Sequence, residues 1–71
     1  MSPTKRVAER VKAEMADRGV TQNDLAAVLH VSQQSVSRRV NGLQPWTIDE
    51  LVIVSDRLGI TLPDLILDGA A

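Results

Sequence analysis

The residues with the clearest chemistry lie in one stretch of eight, SQQSVSRR, which runs from Ser32 to Arg39. Amide, hydroxyl and guanidinium groups fill it, and Val36 is its one apolar position. These polar groups donate and accept hydrogen bonds in well-defined directions. A glutamine can make two hydrogen bonds to adenine, an arginine can make two to guanine, and a serine can bond several base edges. The stretch therefore has side chains suited to reading DNA bases in the major groove.

Helical spacing indicates which of these side chains point outward. Ser32 is typical of an N-cap and Gly42 of a helix stop, which predicts a helix over residues 33–41. At about 100° per residue, Val36 and Val40 fall on one side and mark the buried face. The outward positions are Gln34, Ser37, Arg38 and Asn41, and Gln33 lies at the edge of this face on the first turn, where a side chain can project past the helix end. An ordinary solvated helix face is usually rich in Glu and Lys. This face has neither, so we favour base reading over that alternative.

The rest of the chain carries helix signals, and no sustained alternation of apolar and polar residues predicts a strand. Glycines follow three of the predicted helices, and Ser or Thr caps precede four of them. Thr47 and Glu50 have the spacing of a capping box. The predicted helices cover residues 4–18, 22–29, 33–41, 48–58 and 62–67. We therefore predict an all-α fold, a compact domain of five helices over residues 1–71.

Apolar residues at helical spacing predict the core. The expected inward positions are Val7, Val11 and Met15 in the first helix, Leu25, Ala26 and Leu29 in the second, and Ile48, Leu51, Val52, Ser55 and Leu58 in the fourth. Ile53, Val54 and Leu67 are apolar outside these stripes. They belong either to the core or to a patch that binds a second copy of the chain.

Composition argues against several classes of function. The chain has no cysteine and a single histidine, which are too few ligands for a structural zinc site. The chain also has no tyrosine, and its serines and acids fall at caps and exposed helix positions, where capping and solubility explain them, so we expect no enzyme activity, no cofactor and no bound metal. No apolar run is long enough to span a membrane, and the N-terminus lacks a signal-peptide pattern. We therefore expect a cytoplasmic protein with no membrane partner.

The net charge of −1 would by itself argue against a nucleic-acid partner. Its distribution points the other way. Residues 1–41 carry seven Lys/Arg and four Asp/Glu, whereas residues 42–71 carry one and five, so the two parts have charges of +3 and −4. Such asymmetry indicates either one basic working face or chance segregation of charge in a small domain.

Residues 21–42, TQNDLAAVLHVSQQSVSRRVNG, hold two predicted helices joined by a link of about three residues, as in a helix-turn-helix. This segment resembles the Cro/repressor (Xre-like) family, which includes the phage 434 and lambda repressors. The matching features are the Thr-Gln start, Leu-Ala, Val-Ser, the aliphatic residue four positions later and Asn-Gly. The resemblance extends over residues 5–67 and implies a lambda-repressor-like DNA-binding domain.

The resemblance also implies roles for individual residues. The base-reading set is Gln33, Gln34, Ser37 and Arg38. The phosphate-contacting set is Thr21, Gln22, Ser32, Ser35, Asn41 and Arg10. Repressors of this family commonly dimerise near the C-terminal region, which implies a homodimer on double-stranded DNA, with Ile53, Val54 and Leu67 as the candidate dimer patch. Two copies of the helix 33–41 would then read a near-palindromic site about one DNA turn apart.

Three departures from the family pattern stand out. His30 takes the place of the turn glycine, where φ is usually positive. Met15 and Val40 stand where many relatives bury an ion pair, and an apolar pair avoids the desolvation cost of those charges. The loop 43–46 lacks Lys and Arg, which predicts few phosphate contacts and a weak salt dependence. Trp46 in this loop either packs against the fourth helix or donates its indole N–H to the DNA backbone.

The favoured hypothesis is a sequence-specific transcriptional regulator, a phage or bacterial repressor that binds an operator through helix 33–41. The alternative is an antitoxin or another protein-interaction module on the same fold, with a protein partner. The acidic second part of the chain favours the alternative. The Gln/Arg surface of the third helix favours the regulator.

Overall fold

The computed structural model of the protein describes residues 2–67. These residues form five α-helices and contain no strand. The helices α1 to α5 are Pro3–Arg18, Gln22–Leu29, Gln33–Val40, Ile48–Leu58 and Leu62–Ile66. The predicted all-α fold class is confirmed, and every helix boundary lies within one residue of its predicted place. Within residues 2–67, no helix is both long enough and apolar enough to cross a bilayer.

Side-chain oxygens decide where the helices begin. Each helix is preceded by a Ser or Thr whose hydroxyl accepts a hydrogen bond from the N–H three residues later. Helix α1 begins one residue earlier than predicted because Ser2 caps it and Pro3 fits its first turn. The predicted capping box at Thr47 is present, and Glu50 accepts the Thr47 N–H at 2.9 Å. A second capping box, which joins Thr21 and Asp24, was not predicted.

All five helices contribute to one hydrophobic core. Helix α2 packs on α3 and α4, and α1 packs on α3, α4 and α5. The buried cluster comprises Val11, Met15, Val20, Leu25, Val36, Val40, Leu51, Val54, Leu58 and Leu65. Met15 and Val40 are both buried in it, as expected for an apolar pair in place of an ion pair. The core thus fixes α2 and α3, the two helices with functional interest, between α1 and α4.

The buried side of α4 differs from the predicted one. Ile48 and Val52 are predicted to face inward, but they are 63% and 48% exposed. Val54 is completely buried, so its assignment to a dimer patch is wrong. The buried positions of α4 are Leu51, Val54, Ser55 and Leu58. They follow the spacing i, i+3, i+4, i+7 of a core-facing stripe that does not include the first residue of the helix.

Candidate nucleic-acid interface

Helix α3 is anchored by one side and presents the other to solvent. Val36 and Val40 are 0% and 3% exposed, respectively. Gln33, Gln34 and Arg38 are exposed and Ser37 is partly exposed. The orientation predicted from helical spacing is therefore observed. We call Gln33, Gln34, Ser37 and Arg38 the reading surface.

The turn before α3 has the backbone conformation that the family resemblance implies. His30 has φ 57° and ψ 42°, in the left-handed region, and is the one non-glycine residue with positive φ in residues 2–67. Its N–H donates to the carbonyl oxygen of Ala26, and the N–H of Val31 donates to the same oxygen at 3.1 Å. These bonds end α2 and turn the chain directly into the Ser32 cap of α3. The short link thereby fixes the crossing of the two helices.

Arg39 joins α3 to the start of α4, and its role was not predicted. Its side chain is 9% exposed, and its Nη2 lies 2.9 Å from Oε2 of Glu50. Its Nε donates to Oε1 of Glu50 at 3.1 Å, which makes the pair bidentate. Its Nη1 donates to the carbonyl oxygen of Ser35 at 3.0 Å and also to the Ser35 hydroxyl. The sequence holds a signal for the burial of Arg39, because at helical spacing this residue lies beside the buried positions Val36 and Val40.

The charge of Glu50 is maintained by its partners. Burial raises the pKa of Glu50, but hydrogen bonds from the Thr47 N–H and from Arg39, together with the positive charge of Arg39, outweigh it. The pKa of Glu50 is consequently lower than the ordinary value. The carboxylate stays ionised at neutral pH and holds the guanidinium of Arg39 on the inner side of α3.

Most arginines are paired with acids, but the one on the reading surface is not. Four pairs of charged side chains lie within ion-pair distance in residues 2–67. They are Arg10–Glu14, Arg18–Glu14, Arg39–Glu50 and Arg57–Asp24. The cations outside these pairs are Lys5, Arg6, Lys12 and Arg38. The guanidinium of Arg38 is therefore available to a ligand.

The residues predicted to contact phosphate at the starts of α2 and α3 lie next to backbone N–H groups that make no hydrogen bond. The backbone N–H groups of the first two residues of α2, and of the first two residues of α3, make no hydrogen bond within residues 2–67. The hydroxyls of Thr21 and Ser32 accept cap hydrogen bonds but keep their own protons to donate. The N–H of Thr21 is already bonded to Asp24 at 2.8 Å. Each helix start thus offers two N–H donors and a hydroxyl to an anion.

The other three predicted phosphate contacts differ in their availability. Nε of Arg10 lies 3.1 Å from Oε2 of Glu14, so this arginine is engaged within α1. The hydroxyl of Ser35 is bonded by Arg39 and supports the inner side of α3. Asn41 remains exposed at the end of α3, where its Nδ2 donates to the carbonyl oxygen of Ser37 at 2.9 Å. Of the three, Asn41 is the one that the structure places beside the reading surface.

Trp46 is packed into the protein and does not face outward. Its indole ring packs against the hydrophobic core, as one of the two predicted alternatives required. Its Nε1 is buried and has no hydrogen-bond partner in the part of the chain that is described. The other alternative, donation of this N–H to a DNA backbone, is therefore wrong.

Comparison with known proteins identifies the family. A family model described as helix-turn-helix matches residues 11–65, which include α2 and α3. This chain belongs to the helix-turn-helix family. The resemblance to Cro/repressor (Xre-like) proteins is thereby confirmed. Membership of the helix-turn-helix family supports a broad function in DNA-binding transcription regulation.

A solved structure shares the helix-turn-helix fold over nearly the full length. It is the crystal structure of the clp gene regulator ClgR from C. glutamicum, with a TM-score of 0.87. The sequences are 24% identical, and the match covers 99% of this chain and 90% of the ClgR chain. At this identity the similarity shows the fold alone. No curated protein matches the chain in a sequence comparison.

Proposed function

We propose that this helix-turn-helix protein recognises a specific DNA sequence by inserting α3 into the major groove. The observation that carries the proposal is the reading surface itself. It presents two amides, a hydroxyl and a guanidinium that forms no ion pair within the described part of the chain, on a helix whose opposite side packs in the core. No acid lies on α3 to repel the DNA backbone.

Base discrimination would come from Gln33, Gln34, Ser37 and Arg38. A glutamine amide matches the N6 and N7 edge of adenine, and a guanidinium matches the O6 and N7 edge of guanine. Each good bidentate pair contributes about 1–3 kcal/mol of discrimination against the wrong base. The bidentate Arg39–Glu50 pair supports base discrimination by these four residues, because it limits rotation of α3 about its own axis.

Phosphate contacts would fix the position of the helix in the groove. Thr21, Gln22 and Ser32 lie at two helix starts with unbonded N–H groups, where the helix dipole also favours an anion. Asn41 lies at the other end of α3. Contacts at both ends would set register and orientation without reading sequence.

We further propose that the protein is a phage or bacterial repressor that occupies its operator as a homodimer. Ile53 and Leu67 are 41% and 59% exposed, and they form the candidate dimer patch now that Val54 is excluded. Two copies related by a two-fold axis would place two α3 helices on a near-palindromic site. We propose no catalytic activity and no cofactor for this role.

A second candidate function, binding to a protein partner as in an antitoxin, has its own supporting observation. Leu43 is 76% exposed and Ile48 is 63% exposed, and Val52 lies one turn further along α4 at 48%. A contiguous exposed apolar patch is typical of a protein-binding surface, and these residues are candidates for one.

Selection from a random duplex DNA pool tests the proposed function. The purified protein should enrich a two-fold-symmetric consensus sequence. The Gln34→Ala/Arg38→Ala variant should lose this enrichment while its helical circular dichroism is unchanged. Arg18→Ala is the matched control, because it removes an exposed arginine that is paired on α1. If the wild type enriches nothing at low salt, the protein-partner function is favoured instead.

A further inference from the structure

We propose that the groove between α1 and the C-terminal end of α3 binds a phosphate of the DNA backbone through Lys5 and Lys12. The groove has a volume of about 280 Å³, and its polar lining consists of Lys5, Glu9, Lys12 and Asn41. The inference rests on the proposed function, because the ligand is a phosphate of the same duplex that α3 reads.

The two lysines are placed to act together. They are seven residues apart, so they lie two turns apart on one side of α1. Neither contacts a carboxylate of residues 2–67. The Nζ of Lys12 lies 3.5 Å from Oδ1 of Asn41, which is a long hydrogen bond to a neutral group. Neither lysine is thus held in an ion pair within the described residues.

Gly42 lets the end of α3 approach α1 closely. It has φ 74°, and a Cβ at this position would lie 3.2 Å from Cγ of Lys5. The aliphatic stem of Lys5 therefore packs over the glycine, and Lys5 is one of the residues that line the groove. A larger residue than glycine would push the lysine away from this position.

Hydrogen bonds connect the groove to the reading surface. Lys12 bonds Asn41, whose Nδ2 donates to the carbonyl oxygen of Ser37 and lies 3.4 Å from its hydroxyl. Ser37 belongs to the reading surface, so Lys12 lies at the C-terminal edge of that surface. The loop 43–46 contributes no cation on this side. The groove therefore supplies the positive charge that the loop lacks.

Removal of the Glu9 charge should change DNA binding in the opposite direction to removal of a lysine charge. Glu9 lines the same groove, and its negative charge would repel a bound phosphate. Arg10 and Arg18 lie on another side of α1, where both pair with the carboxylate of Glu14. Charges away from the groove therefore provide matched controls on the same helix.

The experiment measures the salt dependence of binding to a selected operator duplex and to a duplex of mixed sequence. Lys5→Gln and Lys12→Gln keep much of the aliphatic stem and remove the charge. The plot of log K against log salt should become shallower by about 0.9 for each lysine in each bound protomer. Glu9→Gln should strengthen binding. Arg18→Gln and Asp17→Asn, which change the charge of α1 outside the groove, should leave the slope and the affinity near those of the wild type.

The outcomes separate the two proposals. If the wild type binds neither duplex with a salt dependence, the proposed function and the groove are both overturned. If the wild type binds but both lysine variants keep its salt slope, the proposal that the groove binds phosphate is overturned and the proposed function stands. Weaker binding of the lysine variants with an unchanged salt slope also overturns the proposal that the groove binds phosphate, since the lost contact was then not ionic. Thermal melting by circular dichroism confirms that each variant is folded.

Discussion

At the scale of residues, two neighbouring arginines of α3 have opposite environments. Arg38 is exposed and has no ion-pair partner among residues 2–67, whereas Arg39 is buried and bonded to Glu50. One step along a helix turns a side chain by about 100°, which is enough to move it from solvent to the core boundary. Arg38 is thus suited to a ligand and Arg39 to holding the helix in place. Substitution of Arg38 should therefore have a different effect from substitution of Arg39.

His30→Gly should stabilise the protein. A left-handed backbone costs a non-glycine residue about 1–2 kcal/mol, and glycine adopts it without a steric penalty. Because glycine also gains freedom in the unfolded chain, we expect a net rise of about 0.5–1 kcal/mol in the free energy of unfolding. Urea denaturation would measure it. Ala27→Gly, at an exposed position inside α2, is the control and should lower stability by about 0.5–1 kcal/mol. Lower stability of His30→Gly would mean that the imidazole makes favourable contacts that outweigh the strain.

At the scale of elements, α3 depends on packing for its existence. It has eight residues, and isolated helices shorter than about 12–15 residues are marginal in water. Val36 and Val40 anchor it in the core, and the Arg39–Glu50 pair connects it to α4. The position of the reading surface is therefore a property of the whole domain.

Val36→Asp should abolish cooperative folding. The side chain is completely buried, and an unpaired carboxylate there has no partner to offset its desolvation. The expected loss exceeds about 4 kcal/mol, which is large for a single substitution and comparable to the whole stability of a small domain. Circular dichroism during thermal melting would show it. Gln34→Asp places the same charge two residues away at an exposed position, and should fold normally while losing DNA binding. A cooperative melt for Val36→Asp would contradict the observed orientation of α3.

Helix boundaries were predictable because their signals are local. Caps such as Thr47 and stops such as Gly59 act within a few residues, and all five helices begin and end within one residue of expectation. The exposure of Ile48 and the burial of Val54 were not predictable, because several sides of α4 are apolar and the choice of the buried side depends on where α2 and α5 pack. The outward direction of Gln34 followed from helical spacing alone.

The contacts that support the site were not predictable for a related reason. Arg39 and Glu50 are eleven residues apart, and Lys12 and Asn41 are twenty-nine apart. No local pattern joins such pairs, since each depends on how two helices meet. Family resemblance suggested the base-reading residues, but it gave no indication of the lysine groove.

At the scale of the whole molecule, ion pairing explains how a protein of net charge −1 can present a cationic surface. The internal pairs use arginines away from the reading surface. The cations without an ion pair in residues 2–67, which are Lys5, Arg6, Lys12 and Arg38, lie on α1 and α3, whereas α4 carries the exposed acids Asp49 and Asp56. Local charge rather than net charge governs attraction to a duplex at short range.

Stability should fall in acid. The pKa of Glu50 is lower in the folded protein than its ordinary value, so the unfolded chain binds the proton more readily. The stabilisation is complete well above the unfolded pKa of about 4.3 and is lost as pH falls through the lower folded pKa. Urea midpoints between neutral pH and pH 3 would measure the decline.

Glu50→Gln isolates the contribution of the ion pair. Glutamine can replace glutamate in a capping box, so the variant chiefly removes the charge opposite Arg39. We expect a loss of about 1–3 kcal/mol at neutral pH and a shallower decline in acid. An acid decline as steep as that of the wild type would assign the pH dependence to other carboxylates, such as Glu14 and Asp24, whose pKa values are also lowered.

Trp46 gives the protein a built-in optical reporter. It is the only aromatic residue of the chain, so all intrinsic fluorescence excited through indole comes from the segment between α3 and α4. An indole whose N–H is shielded from water emits at shorter wavelength than a hydrated one. A red shift of the emission would therefore signal, without any attached dye, that the segment behind α3 has opened. The same spectrum recorded during a DNA titration would show whether that segment moves when the duplex binds.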